Sequence, residues 1–175
     1  MNNFKNTLLT LTCLIQQLLF AQINTQNIEI VRDNYGVPHI FTKTDAELAY
    51  GLAWAHAEDD FKTTQQAYLA GNSLLSTVIG KNGLGADYIA QFIGSEKLID
   101  DNYENNVSSE YKKVLEGYAA GINSYATHHP EEVLSKKLFP ITPKKMMLYA
   151  QLQLFVSSKG DYWVKNILND KIKYN

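Results

Sequence analysis

Cysteine is all but absent: the 175 residues contain one, Cys13. A single thiol cannot close an internal disulfide, and no paired-cysteine spacing exists to hold zinc. No glycine-rich phosphate loop and no G-x-S-x-G elbow occurs either, which removes two common nucleotide-binding and hydrolase signatures. A dominant charge sign is also missing. The chain has 16 Lys and Arg against 18 Asp and Glu, with a pI near 6.1. Without a basic block, nucleic acid is not an expected partner. Long apolar runs are lacking too. The stretch from Leu8 to Ala21 is interrupted by threonines and by Gln16-Gln17, and it falls short of the ~20 apolar residues that span a bilayer. No membrane anchor is expected.

What that stretch does have is an order. Lys5 precedes it, the small residue Ala21 ends it, and Gln22 starts polar sequence. A basic start, a short apolar core and a small residue fit a secretory signal peptide over residues 1–21, cleaved after Ala21. A soluble amphipathic helix would need a cap or a regular stripe, and neither is present. Thr10, Leu11 and Thr12 stand before Cys13 where a lipoprotein would carry small residues. Cleavage leaves residues 22–175, one domain's worth, without cysteine. Because Lys5 is the only charge lost, the net charge moves from −2 to −3. The expected location is secreted or periplasmic.

The remainder reads as α+β, mostly helical after an N-terminal β-hairpin. Residues 28–33 alternate as a strand, Asn34-Tyr35-Gly36 turns, and Val37–Phe41 returns, with Pro38 at the strand start or at an edge. Thr44 and Glu47 form a capping box, opening a helix that runs through Phe61 to about Ala70 and stops near Gly71-Asn72. Its first part is alanine-rich and apolar almost all round, which implies burial on most faces. Residues 73–99 look like shorter helical pieces broken at Gly80, Gly83 and Gly85. Ser108 or Ser109 starts a helix with Tyr111, Val114, Leu115, Tyr118, Ile122 and Tyr125 at three- and four-residue spacing, ended by Pro130. Thr142-Pro143 pairs a cap with proline at the first helical position, and Met146–Val156 should be largely buried. A hairpin needs more sheet or a covering helix, and two helices apolar all round need further partners. The pattern reads as part of a larger body.

Candidate chemistry is thin. His56, Asp59 and Asp60 lie within reach on one helix, but no second cluster completes a metal site. They are expected to cap, pair or bind backbone. His128-His129 at a helix end complements the helix dipole, and His39 is a structural strand residue. No metal ion and no cofactor is expected. The tyrosines of 111–125 could suggest an aromatic binding face, but core packing explains their spacing more cheaply.

Ile30-Val-Arg-Asp-Asn-Tyr-Gly-Val-Pro-His-Ile40, followed by Tyr50-Gly-Leu-Ala-Trp-Ala-His-Ala-Glu-Asp-Asp-Phe61, resembles the opening of penicillin acylases and acyl-homoserine-lactone acylases. Further matches come in family order. They are Gly80-Lys81, Leu115-Glu-Gly-Tyr-Ala-Ala-Gly-Ile-Asn123 and Thr142-Pro-Lys-Lys145, so the resemblance covers about residues 28–160. It implies an N-terminal-nucleophile hydrolase with an αββα core, in which a precursor cuts itself into a helical small chain and a large chain. The large chain begins with a serine whose own α-amino group is the base. The small chain mainly completes the acyl pocket. The implied partners are therefore a large catalytic chain of the same precursor and an acyl-amide small molecule.

The same resemblance implies that the nucleophile lies beyond Asn175. Gly94-Ser95 is the nearest Gly-Ser step, but Glu96 follows where the family has asparagine, and too little chain remains after it. Ungapped extension puts Tyr162 and Trp163 where the family's arginine–phenylalanine pair lines the acyl site. A loop residue packing on the core is the alternative for Trp163. Asn169 falls where some members carry a calcium-binding glutamate, and is a weaker, uncharged ligand. Met146 replaces the family's tryptophan. Two competing readings stay open. One is a truncated, non-catalytic remnant serving as an interaction module, supported by the charged, asparagine-rich residues 165–175. The other is a self-contained helical domain.

Overall fold

A computed structural model describes residues 23–169. The leader assigned to residues 1–21, with Cys13, lies outside the described residues. Strand β1 (Glu29–Arg32) pairs antiparallel with β2 (Pro38–Phe41), with Ile30 opposite Ile40 and Arg32 opposite Pro38. Asp33 builds the turn between them. Its carboxylate accepts the N–H groups of Tyr35 and Val37, at 2.8 and 3.0 Å, while Gly36 takes φ 80°. That left-handed conformation is the one glycine reaches without strain. Those two N–H bonds hold the Asp33 carboxyl below the usual carboxylate range.

Helix α1 spans Asp45–Gly71 behind the expected capping box. Thr44 Oγ1 accepts the Glu47 N–H, and Glu47 accepts the N–H of Thr44. The helix is not continuous. At Asp60 the backbone leaves the helical region (φ −159°, ψ 77°), and the Asp60 carboxylate accepts the Thr63 N–H at 2.9 Å. Asp60 thus ends one helix and caps the next, the role that the short polar side chain of Asp favours.

Residues 73–106 form short pieces: α2 (Ser76–Ile79), a 3-10 turn (Gly80–Gly83), α3 (Leu84–Ile93) and α4 (Ser95–Asn106). The breaks fall at Gly80 and Gly94, both with positive φ. Gly85 sits inside α3 and breaks nothing, correcting the expectation from sequence. Buried Asp87 reaches back to accept the N–H groups of Leu75 and Ser76, fastening α3 to the start of α2.

Helix α5 (Ser109–His128) is capped by Ser108, whose Oγ accepts the Tyr111 N–H. It lies against α1 at backbone contact. A Cβ on Gly117 would collide with the Ala46 carbonyl, and one on Gly121 with the Tyr50 carbonyl. Two small residues one turn apart let the helices approach closely, and Ala53, Ala57, Phe61, Leu69, Ala119, Ile122 and Tyr125 form the core there. The loop after α5 is pinned by Gln65, which is fully buried. Its carboxamide donates to the Glu132 carbonyl and accepts the Leu134 N–H.

Helix α6 (Pro143–Ser157) starts as expected, with Thr142 accepting the Lys145 N–H and Pro143 at the first position. Its burial differs from expectation. Only Leu152 is buried, and Leu154 and Val156 are exposed. Helix α6 meets α1 where Gly71 lies against the Tyr149 backbone, and α4 packs on its other side. Among the described residues, nothing covers Leu154 and Val156 in its C-terminal half. Leu48 and Leu52 of α1 are likewise exposed, so neither helix finds a partner on every apolar face. Helix α7 (Gly160–Leu168) closes the described chain. The result is mostly helical with one two-stranded antiparallel sheet, the expected α+β class.

Candidate functional site

The histidine and carboxylates of the second motif are sent in three directions. His56 Nδ1 stands 2.9 Å from the Tyr118 hydroxyl on α5, and burial pushes the Tyr118 and Tyr68 phenols up. Asp59 and Glu58 take the Arg32 guanidinium of β1 at 2.8 and 2.9 Å, while its other nitrogen donates to the Gly36 carbonyl. Asp60 is the helix cap. The motif therefore ties the hairpin and α5 to α1, as capping and pairing residues would, and its polar atoms do not converge.

The remaining motifs resolve in the same way. Asn123 binds the backbone of Ile141. Lys145 Nζ donates to the carbonyls of Leu138 and Pro140 at 2.6 and 2.9 Å, and its burial lowers the amine's pKa. Lys144 pairs with Asp100 on α4 at 2.7 Å. These contacts set the angle at which α6, and hence α7, leaves the core.

Helix α7 carries the two residues assigned to an acyl pocket. It begins after Lys159 (φ 61°), with Gly160 pressed against the Phe155 ring of α6, where a Cβ would clash. Tyr162 and Trp163 stand edge to face, 5.7 Å apart and 78° between planes. They are 56 % and 54 % exposed, so they sit on an open helical surface and not in a core-packing loop. Ile167 is exposed one turn beyond Trp163, and Leu154 and Val156 of α6 are exposed as well. The C-terminal end of the described chain thus presents uncovered apolar side chains on two helices. Asn169, the position considered for calcium, spends its Nδ2 on the Lys165 carbonyl at 2.7 Å and ends α7.

His39 Nε2 lies 3.4 Å from the Asp33 carboxylate within the hairpin turn. His128 Nδ1 donates to the Ser124 carbonyl at 2.8 Å, serving the C-terminus of α5. His129 has a neighbourhood the sequence did not show. Its Nδ1 is 3.9 Å from Glu131 and 3.6 Å from Glu132, and Tyr125 stacks on its ring at 4.2 Å. These three ligand atoms lie within 4.8 Å of one another, close enough to share a cation, although exposed acidic groups commonly gather so without one. Ser95 is buried as the first residue of α4, in a cleft shared with Gly71, Asn72 and Leu148. Among the described residues no helix is long and apolar enough to cross a membrane.

Comparison with known proteins points to the same family. The family model described as penicillin amidase matches residues 27–170. Penicillin G acylase of Escherichia coli is 28 % identical over 154 residues, covering 81 % of this chain and 17 % of its own length. Acyl-homoserine lactone acylase PvdQ of Pseudomonas syringae pv. syringae is 27 % identical over 103 residues, covering 54 % of this chain and 13 % of its own. This chain therefore spans less than a fifth of these relatives. The thermostable penicillin G acylase of Alcaligenes faecalis shares the fold, with a TM-score of 0.60 and 22 % identity over 79 % of this chain and 74 % of that one. With the family model matched over most of its length, the chain belongs to the penicillin amidase family.

Proposed function

We propose that residues 22–175 are the small-chain part of a secreted or periplasmic hydrolase that cleaves linear amide bonds in acylated small molecules. Residues 1–21 would be its signal peptide, and the nucleophilic serine would stand at the start of a larger chain of the same precursor. The observation that carries this reading is the family match over residues 27–170 of a chain covering only 17 % of its E. coli relative. The substrate class follows from the names of the relatives, a penicillin acylase and an acyl-homoserine lactone acylase.

The chemistry needs little from this chain. An N-terminal serine carries its own base, because an α-amino group titrates near 7.7–8.0 and accepts a proton at neutral pH without much tuning. Attack of the serine oxygen on the amide carbon gives an oxyanion that donors of the large chain would stabilise, then an acyl-serine and a free amine. Water would release the acid. Tyr162 and Trp163 supply one apolar wall for the acyl group, held out from the core on α7.

A non-catalytic remnant is favoured by one set of observations. Tyr162, Trp163 and Asn169 depart from the family pattern at the implied acyl and calcium positions, and Met146 replaces the family's tryptophan shortly after Thr142-Pro143. The two readings separate in one assay of acyl amides. The whole reading frame should yield an active product, and purified residues 22–175 alone should be inactive. Turnover by the short chain would sink the placement of the nucleophile, and an inactive product from the whole frame would favour the remnant.

A further inference from the structure

Helices α3 and α4 are joined by Gly94 alone, and α4 starts without a cap. Gly94 takes φ 65° and ψ 27°, and no side chain accepts an N–H of the first turn. The Gly94 N–H itself goes to the Gln91 carbonyl. The N–H groups of Ser95, Glu96 and Lys97 have no carbonyl four residues back within their helix. Among the described residues, no other backbone carbonyl accepts them. A left-handed residue beside right-handed ones turns successive N–H groups to one side, which makes a concavity suited to an anion. The dipole of a 12-residue helix adds positive potential at the same place.

Water serves such an end at most helices, so what faces this one decides its use. A cleft of about 550 Å³ opens there, and Ser95, Glu96 and Lys97 all line it. Ser95 is only 5 % exposed. Its hydroxyl meets no protein partner among the described residues, yet it is not sealed from solvent, so it opens into the cleft. Buried hydroxyls are ordinarily hydrogen-bonded, and this one stands beside three unused N–H donors. Ala90 of α3 and Leu148 of α6 give the cleft an apolar side. Three backbone donors, a buried hydroxyl and an apolar side fit the carboxylate of a small organic acid. Charge selects it over phosphate. Lys97 is paired with Asp101, and Glu96 lines the cleft with no ion pair among the described residues. A monoanion is matched by the helix end and the hydroxyl, whereas a dianion would need a cation as well.

We propose that this cleft binds a small organic carboxylate, held by the first-turn N–H groups of α4 and the Ser95 hydroxyl, with its carbon chain on Ala90 and Leu148. The site shares no residue with the acyl wall on α7, and it stands whether or not the amide-hydrolase reading does.

The test uses protein from the whole reading frame, labelled with 15N so that the amide resonances of Ser95, Glu96 and Lys97 report binding at this cleft alone. Butyrate is titrated in, with inorganic phosphate as the comparison. Butyrate should shift these amides saturably, and phosphate should bind more weakly. Ser95→Ala removes one donor to a charged acceptor and should weaken butyrate ~10-fold. Glu96→Gln removes a like charge and should tighten it ~3-fold. Opposite changes at neighbouring positions are not what a loss of folding produces. Amides that butyrate leaves unmoved in the wild type overturn the proposal. So does S95A that binds as the wild type does, or E96Q that fails to bind more tightly. Phosphate binding as tight as butyrate overturns the choice of a carboxylate.

Discussion

Asn123 closes a two-bond ring on the backbone of Ile141. Its Nδ2 donates to the Ile141 carbonyl at 2.8 Å, and its Oδ1 accepts the Ile141 N–H at 2.7 Å. A carboxamide is the one short side chain that offers a donor and an acceptor in this relation, so it mimics a strand partner for a residue that has none. Ile141 is fully buried, and its polar backbone groups would otherwise be stranded away from water. Asn123→Ala should therefore cost about 1–3 kcal/mol, the penalty for leaving buried groups unpaired. Asn123→Asp, which sets a second acceptor oxygen against the Ile141 carbonyl, should recover none of that loss at neutral pH. Urea denaturation of the three proteins checks the order.

Close approach of α1 and α5 makes opposite predictions for two glycines. Gly121→Ala drives a Cβ into the Tyr50 carbonyl and should destabilise by about 1–3 kcal/mol or more, through overpacking. Gly85→Ala meets nothing within 4 Å on α3 and should stabilise by about 0.5–1 kcal/mol, because it removes glycine's backbone freedom from a helix interior. Thermal melts that shift both variants the same way would contradict this account of the helix contact.

The legible parts of this fold are those whose cause is local. Thr44 with Glu47, Ser108, and Thr142 with Pro143 each announce a helix start with three or four residues, and all three starts are observed. The Gly36 turn is legible for the same reason. The break at Asp60 was not, because its run of acidic residues gives no sign of which one caps and which ones pair with Arg32, twenty-six residues or more away. Helix α4 runs beyond the helical pieces expected over 73–99, to Asn106, and its polar composition and uncapped start give no local sign of that extent. The exposure of Leu154 and Val156 on α6 is not legible, since an apolar run says only that covering is needed and not whether these residues supply it. Tyr162 and Trp163 were placed by resemblance alone. Their position on an exposed helix needed the Gly160–Phe155 contact to be seen.

Acid should loosen the junction between hairpin and α1 first. The Glu47 carboxylate accepts the Asn27 side-chain amide at 2.8 Å and the N–H groups of Lys43 and Thr44 at 3.1 Å, and these bonds lower its pKa. Asp60 is lowered by its bond to Thr63, and Asp33 by the N–H groups of Tyr35 and Val37. A folded pKa below the unfolded value means that the native state binds the proton more weakly. The stability these groups add is complete above the ordinary carboxylate range of ~3.9–4.3 and is lost as pH falls through the lower folded values. Melting temperature should accordingly fall below about pH 4, and Glu47→Gln should flatten that acid limb. An unchanged acid limb in the Gln variant would remove Glu47 from the account.

Tyr162 and Trp163 offer the sharpest separation between structural and functional roles. Both rings are more than half exposed and meet each other edge to face. Trp163→Ala should therefore change the stability of the isolated chain by no more than about 0.5 kcal/mol, as for most surface positions. If α7 forms the acyl wall, the same change in the active two-chain protein removes apolar contact from the acyl group. Losing a few methylene-equivalents of such contact is worth ~1–3 kcal/mol, or 10- to 200-fold in kcat/KM. The loss should grow with the length of the acyl chain and should be smallest for an acetyl amide, which cannot reach the ring. A core role would reverse the pattern, with a large fall in stability and a loss of activity indifferent to acyl length. Denaturation of the single chain and kcat/KM across a series of acyl amides decide between them.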